Sequence, residues 1–231
     1  MYMRKMVYMN NYEFTVSLKM FGTTLQGRIS GMRHFTEVCV KLADAPPGTP
    51  VVLDFSCIKH VTGSWINSMI VPFFKWAAQT ENDVFPIFYN VDKEWLDEFR
   101  LVAQWNHQCF LIARASSFPP KQVQLVGFLE SAQRISLHAV LAEGEVTGAE
   151  LNRRRAEKIG ATAWNNRLKD LYLKRLVCRE KRGRKHVYFT LFKEIEENGR
   201  QLSKTASQEF SQAKGFSSGK NQPSSTVQAT G

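Results

Sequence analysis

Residues 51–70 read VVLDFSCIKHVTGSWINSMI, and they set the class of fold. Residues 51–55 are a continuous run of buried-strand length that contains one aspartate, Asp54. A short loop follows. A hydroxyl-rich turn at Thr62 and Ser64 then opens a helix candidate, SWINSMIVPFFKWAAQ (64–79), kinked at Pro72. The same alternation extends in both directions. Upstream, residues 14–18 and 24–29 alternate as strands around a turn at Gly22. GMRHFTEVCVKLADA (31–45) then spaces Met32, Phe35, Val38 and Leu42 as one helical face, stopped by PPG (46–48). Downstream come the strand VFPIFYNV (84–91) and an amphipathic helix, DKEWLDEFRLVAQWN (92–106), with Trp95, Phe99, Val102 and Trp105 on one face. The strand CFLIARA (109–115) closes the region. This order predicts an α/β domain over residues 1–118, a mixed sheet carrying helices.

The chain has 231 residues, enough for one large domain or two of ordinary size. Its composition, 43% hydrophobic and 12% aromatic, is globular. No run approaches the ~18 apolar residues of a membrane span. The longest, WINSMIVPFF (65–74), is broken by Asn67, Ser68 and Pro72. The N-terminal MYMRKMVYMNNYEF has no apolar core after its cations, so no secretory signal is expected. Cys39, Cys57, Cys109 and Cys178 are scattered, without a CxxC pair or a histidine at metal spacing. They predict reduced thiols in a cytoplasmic protein, with no disulfide framework, metal site or cofactor. No nucleophile–base pair, paired carboxylates or P-loop is visible, and the five histidines are dispersed, so no enzyme is expected.

The net charge of +10 is informative once located. Thirteen of the 31 Lys and Arg residues and three of the 21 Asp and Glu fall in residues 151–190, and the remaining 18 of each sign cancel. A concentrated excess of this kind is an electrostatic footprint for phosphates. The segment belongs to a second region, 122–193, which follows the Ser/Pro-rich linker RASSFPPKQ (114–122) and is helical in pattern before it turns basic. After it, residues 198–231 are rich in Ser, Gln, Gly and Thr, a composition expected to be a disordered tail.

The second region has the punctuation of helix, helix, turn, helix, hairpin. SAQRISLHAVLAEG (131–144) offers a helix with Ile135, His138, Ala139 and Ala142 on one stripe, Leu137 and Leu141 beside it, and a stop at Gly144. Thr147 and Glu150 form a capping-box signature for the next helix, which breaks at Ile159 and Gly160. A third helix begins near Thr162, an expected N-cap. At ~100° per residue it turns Trp164, Leu168 and Leu171 inward and Thr162, Asn166 and Lys169 outward, flanked by Asn165 and Arg167. Asn pairs bidentately with adenine and Arg with guanine, so this face suits base edges and phosphates. CREKRGRKHVYF (178–189) then reads as two strands around a turn at Arg182 and Gly183. Arg179, Lys181, Arg182, Arg184 and Lys185 would lie against a DNA backbone or in a minor groove, and the apolar VYF would anchor the second strand. KRGRK (181–185) also fits a nuclear localisation signal.

Two resemblances follow from these residues. The order of elements over residues 13–115, with VVLDFSCIKHVTGSWINSMI, resembles the STAS domain. In its anti-sigma-factor antagonists the turn reads Asp-Ser-Ser-Gly, and the second serine is phosphorylated by a histidine-kinase-type ATPase. Here Ser64 falls on that position, while Thr62 replaces the acid and Trp65 the glycine. Apart from phosphorylation, Ser64 is expected to cap the helix, worth ~1 kcal/mol, and Asp54 to serve as a strand-end hydrogen-bonding residue. TAWNNRLKDLYLKRLVCREKRGRKHVYFTL (162–191) resembles winged-helix regulators of the MarR and ArsR kind, over residues 131–192, with Arg175 where those families place a turn glycine. The resemblances imply a bacterial transcription regulator: a winged helix-turn-helix on double-stranded DNA, with a STAS-like domain for sensing or protein interaction. The alternative is a signalling switch phosphorylated at Ser64. Such regulators often form a homodimer, and no coiled-coil seam in the sequence supplies one.

Overall fold

The structure, a computed structural model, describes residues 12–79, 81–113, 120, 122–155, 159–197, 200 and 201. The first half alternates strand and helix: β1 (Thr15–Ser17), β2 (Thr24–Leu25), α1 (Arg28–Lys41), β3 (Pro50–Asp54), β4 (His60–Val61), α2 (Gly63–Ala77), β5 (Phe85–Tyr89), α3 (Leu96–Trp105) and β6 (Cys109–Ala113). The second half continues with β7 (Gln122–Gly127), α4 (Ser131–Glu143), α5 (Gly148–Arg154), α6 (Ala161–Leu173), the hairpin β8 (Cys178–Arg182) and β9 (Lys185–Phe189), then β10 (Glu194–Glu197) and β11 (Arg200–Gln201). Seven strands form one mixed sheet in the order β1–β3–β5–β6–β7–β10–β11. The first four run parallel, β7 is antiparallel to β6, and β10 returns parallel to β7. This is the α/β class expected from the 51–70 stretch.

Alternation along the strands decides what lies on each face. Val51, Leu53, Phe88, Phe110, Ile112 and Val126 join Val38, Trp65, Met69, Phe73 and Phe99 in one core beneath α1–α3. Their neighbours Val52, Phe85, Ile87, Leu111, Val123 and Leu125 point the other way. They are covered by Leu137, Val140, Trp164, Leu168, Leu171 and Phe189 from α4, α6 and the hairpin. The segment from α4 to β9 is thus the second cover of the sheet. Its last connection is pinned by a bidentate pair, Arg134 of α4 donating to Glu197 of β10 at 2.8 and 2.9 Å.

Several local expectations are corrected. Residues 24–29 do not form one strand: Gly27, at φ +80°, ends the extended segment, and Arg28 begins α1. The inward face of α1 is Gly31, His34 and Val38, which leaves Met32 exposed; Gly31 fits because a Cβ there would meet the Trp65 carbonyl oxygen at 3.1 Å. Trp105, the last residue of the helix, is 73% exposed, whereas Trp95, Phe99 and Val102 are buried as expected. The second region opens with a strand rather than a helix, since residues 122–127 alternate into both cores against β6. Of the expected tail, residues 200 and 201 form β11; 198, 199 and 202–231 lie outside the described residues.

The two covers are joined through Arg175. It follows α6 at φ +59°, a left-handed conformation that costs an ordinary residue ~1 kcal/mol, so the turn expected of a glycine is made by an arginine. Its side chain is 1% exposed. Nη1 donates to Asp83 Oδ1 at 2.6 Å, and the guanidinium stacks over Phe85 at 5.0 Å and Tyr172 at 4.4 Å. The Tyr172 hydroxyl donates to the same carboxylate oxygen. Removing the acid strands a buried cation, which typically costs ~3–5 kcal/mol. Asp83→Ala is therefore expected to lower the urea midpoint strongly, and Tyr172→Phe, which keeps the ring, to lower the unfolding free energy by only ~1 kcal/mol. Equal midpoints for Asp83→Ala and wild type would contradict this.

Candidate nucleic-acid interface

The capping box at Thr147 forms as expected. Glu150 N–H donates to Thr147 Oγ1 at 3.2 Å, and Thr147 N–H donates to Glu150 Oε2 at 2.8 Å. The Thr147 N–H foremost, and then the Thr147 hydroxyl, which donates to the same Glu150 Oε2 at 2.9 Å, hold the Glu150 carboxyl below its ordinary value. Helix α5 ends at Arg154, shorter than the 147–158 run of its pattern; residues 156–158 lie outside the described residues. Thr162 is not the N-cap of α6. Gly160, at φ +90°, takes that place and donates its N–H to Asn152 Oδ1 at 3.0 Å, so Thr162 stands within the first turn and is exposed.

Trp164, Leu168 and Leu171 are fully buried, which turns Thr162, Asn165, Asn166 and Lys169 to solvent. Arg167 is half-buried, its guanidinium 5.6 Å from the Trp164 ring. Asn165 also fills the crossing of α5 and α6: a Cβ on Gly148 would meet its Cγ at 2.7 Å and the Ala161 carbonyl oxygen at 2.9 Å. The C-terminal end of α6 is anchored by Tyr172 on the sheet side, and its N-terminal half is open.

The hairpin forms with Cys178 opposite Phe189 and Arg182 opposite Lys185, so that the turn is Gly183, at φ +63°, and Arg184, one residue later than expected. Val187, Tyr188 and Phe189 are buried. Val146, between α4 and α5, pairs with Tyr188 through two backbone bonds of 3.0 and 2.8 Å, adding a third extended segment beside β9. The cations of the hairpin divide by role. Lys181, Arg184 and Lys185 are exposed at its tip. Arg182 is held internally, donating to Glu145 at 2.7 Å and to Glu180 at 2.8 and 3.0 Å, which raises its pKa further. Arg179 lies over the Tyr172 ring at 4.1 Å. Sequence reasoning placed all five together. The alternation of Glu180 and Arg182 on one strand face was the signal that Arg182 has a partner of its own.

At the other end of the chain's first half, α2 is capped by Thr62, whose Oγ1 accepts from Trp65 N–H at 3.4 Å, and not by Ser64. Ser64 is exposed in the first turn, its Oγ 3.1 Å from Thr62 Oγ1. Asp54 closes β3 as a hydrogen-bond acceptor, receiving Ser56 N–H at 2.9 Å, the Ser56 hydroxyl at 2.7 Å and the Asn90 amide at 3.1 Å. Next to this turn an open cleft of about 780 Å³ is lined by Gln26, Gly27, Arg28, Ile29, Ser30, Arg33 and Thr62. Trp65, at the start of α2, donates its indole N–H to buried His34 Nδ1 at 3.0 Å, and the imidazole stacks on Phe21 at 4.0 Å.

Among the described residues no group of three or more His, Cys, Asp or Glu could hold a metal ion, and no helix is long and apolar enough to cross a membrane. Comparisons with protein-family models, with curated proteins and with solved structures found no match to this chain.

Burial, and then the charge of Arg33, lower the His34 pKa. A depressed folded-state value means that the folded chain binds fewer protons than the unfolded one. The stability contributed by neutral His34 is therefore complete above its unfolded pKa of ~6.5 and is lost as pH falls through that range. His138 shifts the same way, for the same first cause. Urea midpoints measured from neutral to mildly acidic pH are expected to fall. In His34→Gln, which keeps an acceptor for Trp65 and cannot titrate here, the fall should be shallower. An identical slope in wild type and variant would remove His34 as its source.

Proposed function

We propose that the chain is a DNA-binding regulatory protein, in which α4–α6 and the β8–β9 hairpin act as a winged helix and the α1–α3 side of the sheet acts as a STAS-like sensing or docking layer. The observation that carries the reading is the order helix, extended Val146, helix, helix, hairpin, whose later part, residues 151–190, bears the chain's excess of positive charge, with the N-terminal half of α6 and the hairpin tip exposed. In such folds the N-terminal half of the third helix enters the major groove and the wing follows the backbone. On this reading Asn165, Asn166 and Arg167 face base edges, while Thr162, Lys169, Lys181, Arg184 and Lys185 meet phosphates. Arg179 and Arg182 shape the wing from within.

A second reading is favoured by Ser64. It is exposed on the first turn of α2, where the helix dipole supports a phosphate, and Thr62 has taken over the capping role. A partner histidine-kinase-type ATPase would modify it to switch the binding of another protein. Incubation with such a kinase should then place phosphate on Ser64, by mass spectrometry, and none on Ser64→Ala.

The DNA reading is tested with duplex DNA by fluorescence anisotropy over a range of salt. Each lost phosphate contact removes ~0.9 from the slope of log K against log salt. Lys181, Arg184 and Lys185 changed together to Ala should reduce the slope by ~3 while the melting temperature holds, because their side chains stand in solvent. Asn166→Ala should cost ~1–3 kcal/mol of discrimination between a preferred site and its base-substituted variant. Unchanged affinity and slope in the triple variant would overturn the proposal.

A further inference from the structure

The outer face of α1 carries three exposed apolar side chains. Ile29 is 87% exposed, Val40 71% and Met32 54%. At 100° per residue, Ile29, Arg33, Thr36 and Val40 fall within about 60° of one meridian, opposite the buried Val38. Their spacing of four, three and four residues is that of a helix-packing seam. Arg33, at one edge of the stripe, forms an exposed i,i+4 pair of 3.6 Å with Glu37 beside it, while exposed Met32 and half-buried Cys39, which also packs against the core, flank the other edge.

We infer that this face is the contact between two copies of the chain, with α1 packed antiparallel on itself about a two-fold axis. The pattern is self-complementary in that arrangement. Ile29 meets Val40 of the partner subunit, and the reverse pair forms across the axis, as an isologous contact requires. A two-fold axis perpendicular to the helix pair keeps each flank on its own side. Arg33 therefore meets Glu37 of the partner subunit, and Met32 meets Cys39 of the partner subunit. Arg28 and Lys41, which this register brings level, point about 100° or more away from the seam, to opposite sides. A parallel pairing would instead turn the Arg33 and Glu37 flank toward the Met32 and Cys39 flank of the partner subunit, with no opposite charges across the contact. Two copies thus bring opposite charges together in the antiparallel register and not in the parallel one, which is the charge complementarity that points to a second copy.

Helices of 14 residues make a small contact, below the ~1,200 Å² of standard interfaces, so the dimer is expected to be reversible and weak. This inference stands apart from the DNA reading, because it is measured without DNA. Sedimentation velocity of the full chain should show a concentration-dependent monomer–dimer equilibrium. Arg33→Glu and Glu37→Arg should each be monomeric, since each sets like charges across the seam, and an equimolar mixture of the two should re-form a dimer containing one copy of each. Ile29→Asp should also be monomeric with an unchanged circular-dichroism melt, the side chain being exposed in the monomer. A wild-type chain that stays monomeric, a charge-reversal variant that dimerises as wild type does, or a mixture that stays monomeric would each overturn the inference.

Discussion

Strands β3, β5 and β6 carry apolar side chains on both faces, and a sheet of this kind is stable only when both are removed from water. At ~25 cal/mol per Å² of apolar surface, one uncovered face would forfeit tens of kcal/mol, more than the net stability of a domain. Helices α1–α3 cover the face of Leu53, Phe88 and Phe110. The face of Val52, Ile87 and Leu111 is covered by α4, α6 and the hairpin. The basic segment is therefore bound into the sheet by the same hydrophobic requirement that orders the first half.

That attachment divides the basic segment into a fixed part and an open part. Tyr172 and Arg175 commit the C-terminal end of α6 to Asp83 and Phe85, and Phe189 commits the base of the hairpin. The N-terminal half of α6 and the hairpin tip are what remain for a partner. Asp83 lies in the loop that leaves α2, the helix whose first turn carries Ser64, so the exposed turn of one cover and the proposed recognition helix of the other are linked by one rigid element and one buried ion pair.

The hairpin was legible as an element, though not in the partners of Arg179 and Arg182, because a Gly turn between two short strands and a buried VYF are local signals. The inward stripe of α6 was legible for the same reason, as was the capping box at Thr147. Helix starts were read less well. Thr62 rather than Ser64 caps α2, and Gly160 rather than Thr162 opens α6, since a cap is chosen by the direction in which the chain arrives. Residues 122–127 gave a weak local signal and became a strand because β6 offered them a free edge.

By itself the sequence determined which strands are buried, which face of α6 is apolar, and where all ten net charges reside, because each depends on residue type and spacing along a few turns or strands. Only the tertiary structure decided that Arg175 would be buried against Asp83, 92 residues away, that Arg182 would be held by Glu145, and that the outer face of α1 would keep its apolar stripe uncovered. Those outcomes depend on which elements meet across the sheet, and the choice of partner at that range is set by covering both faces at once, which no local window of residues contains.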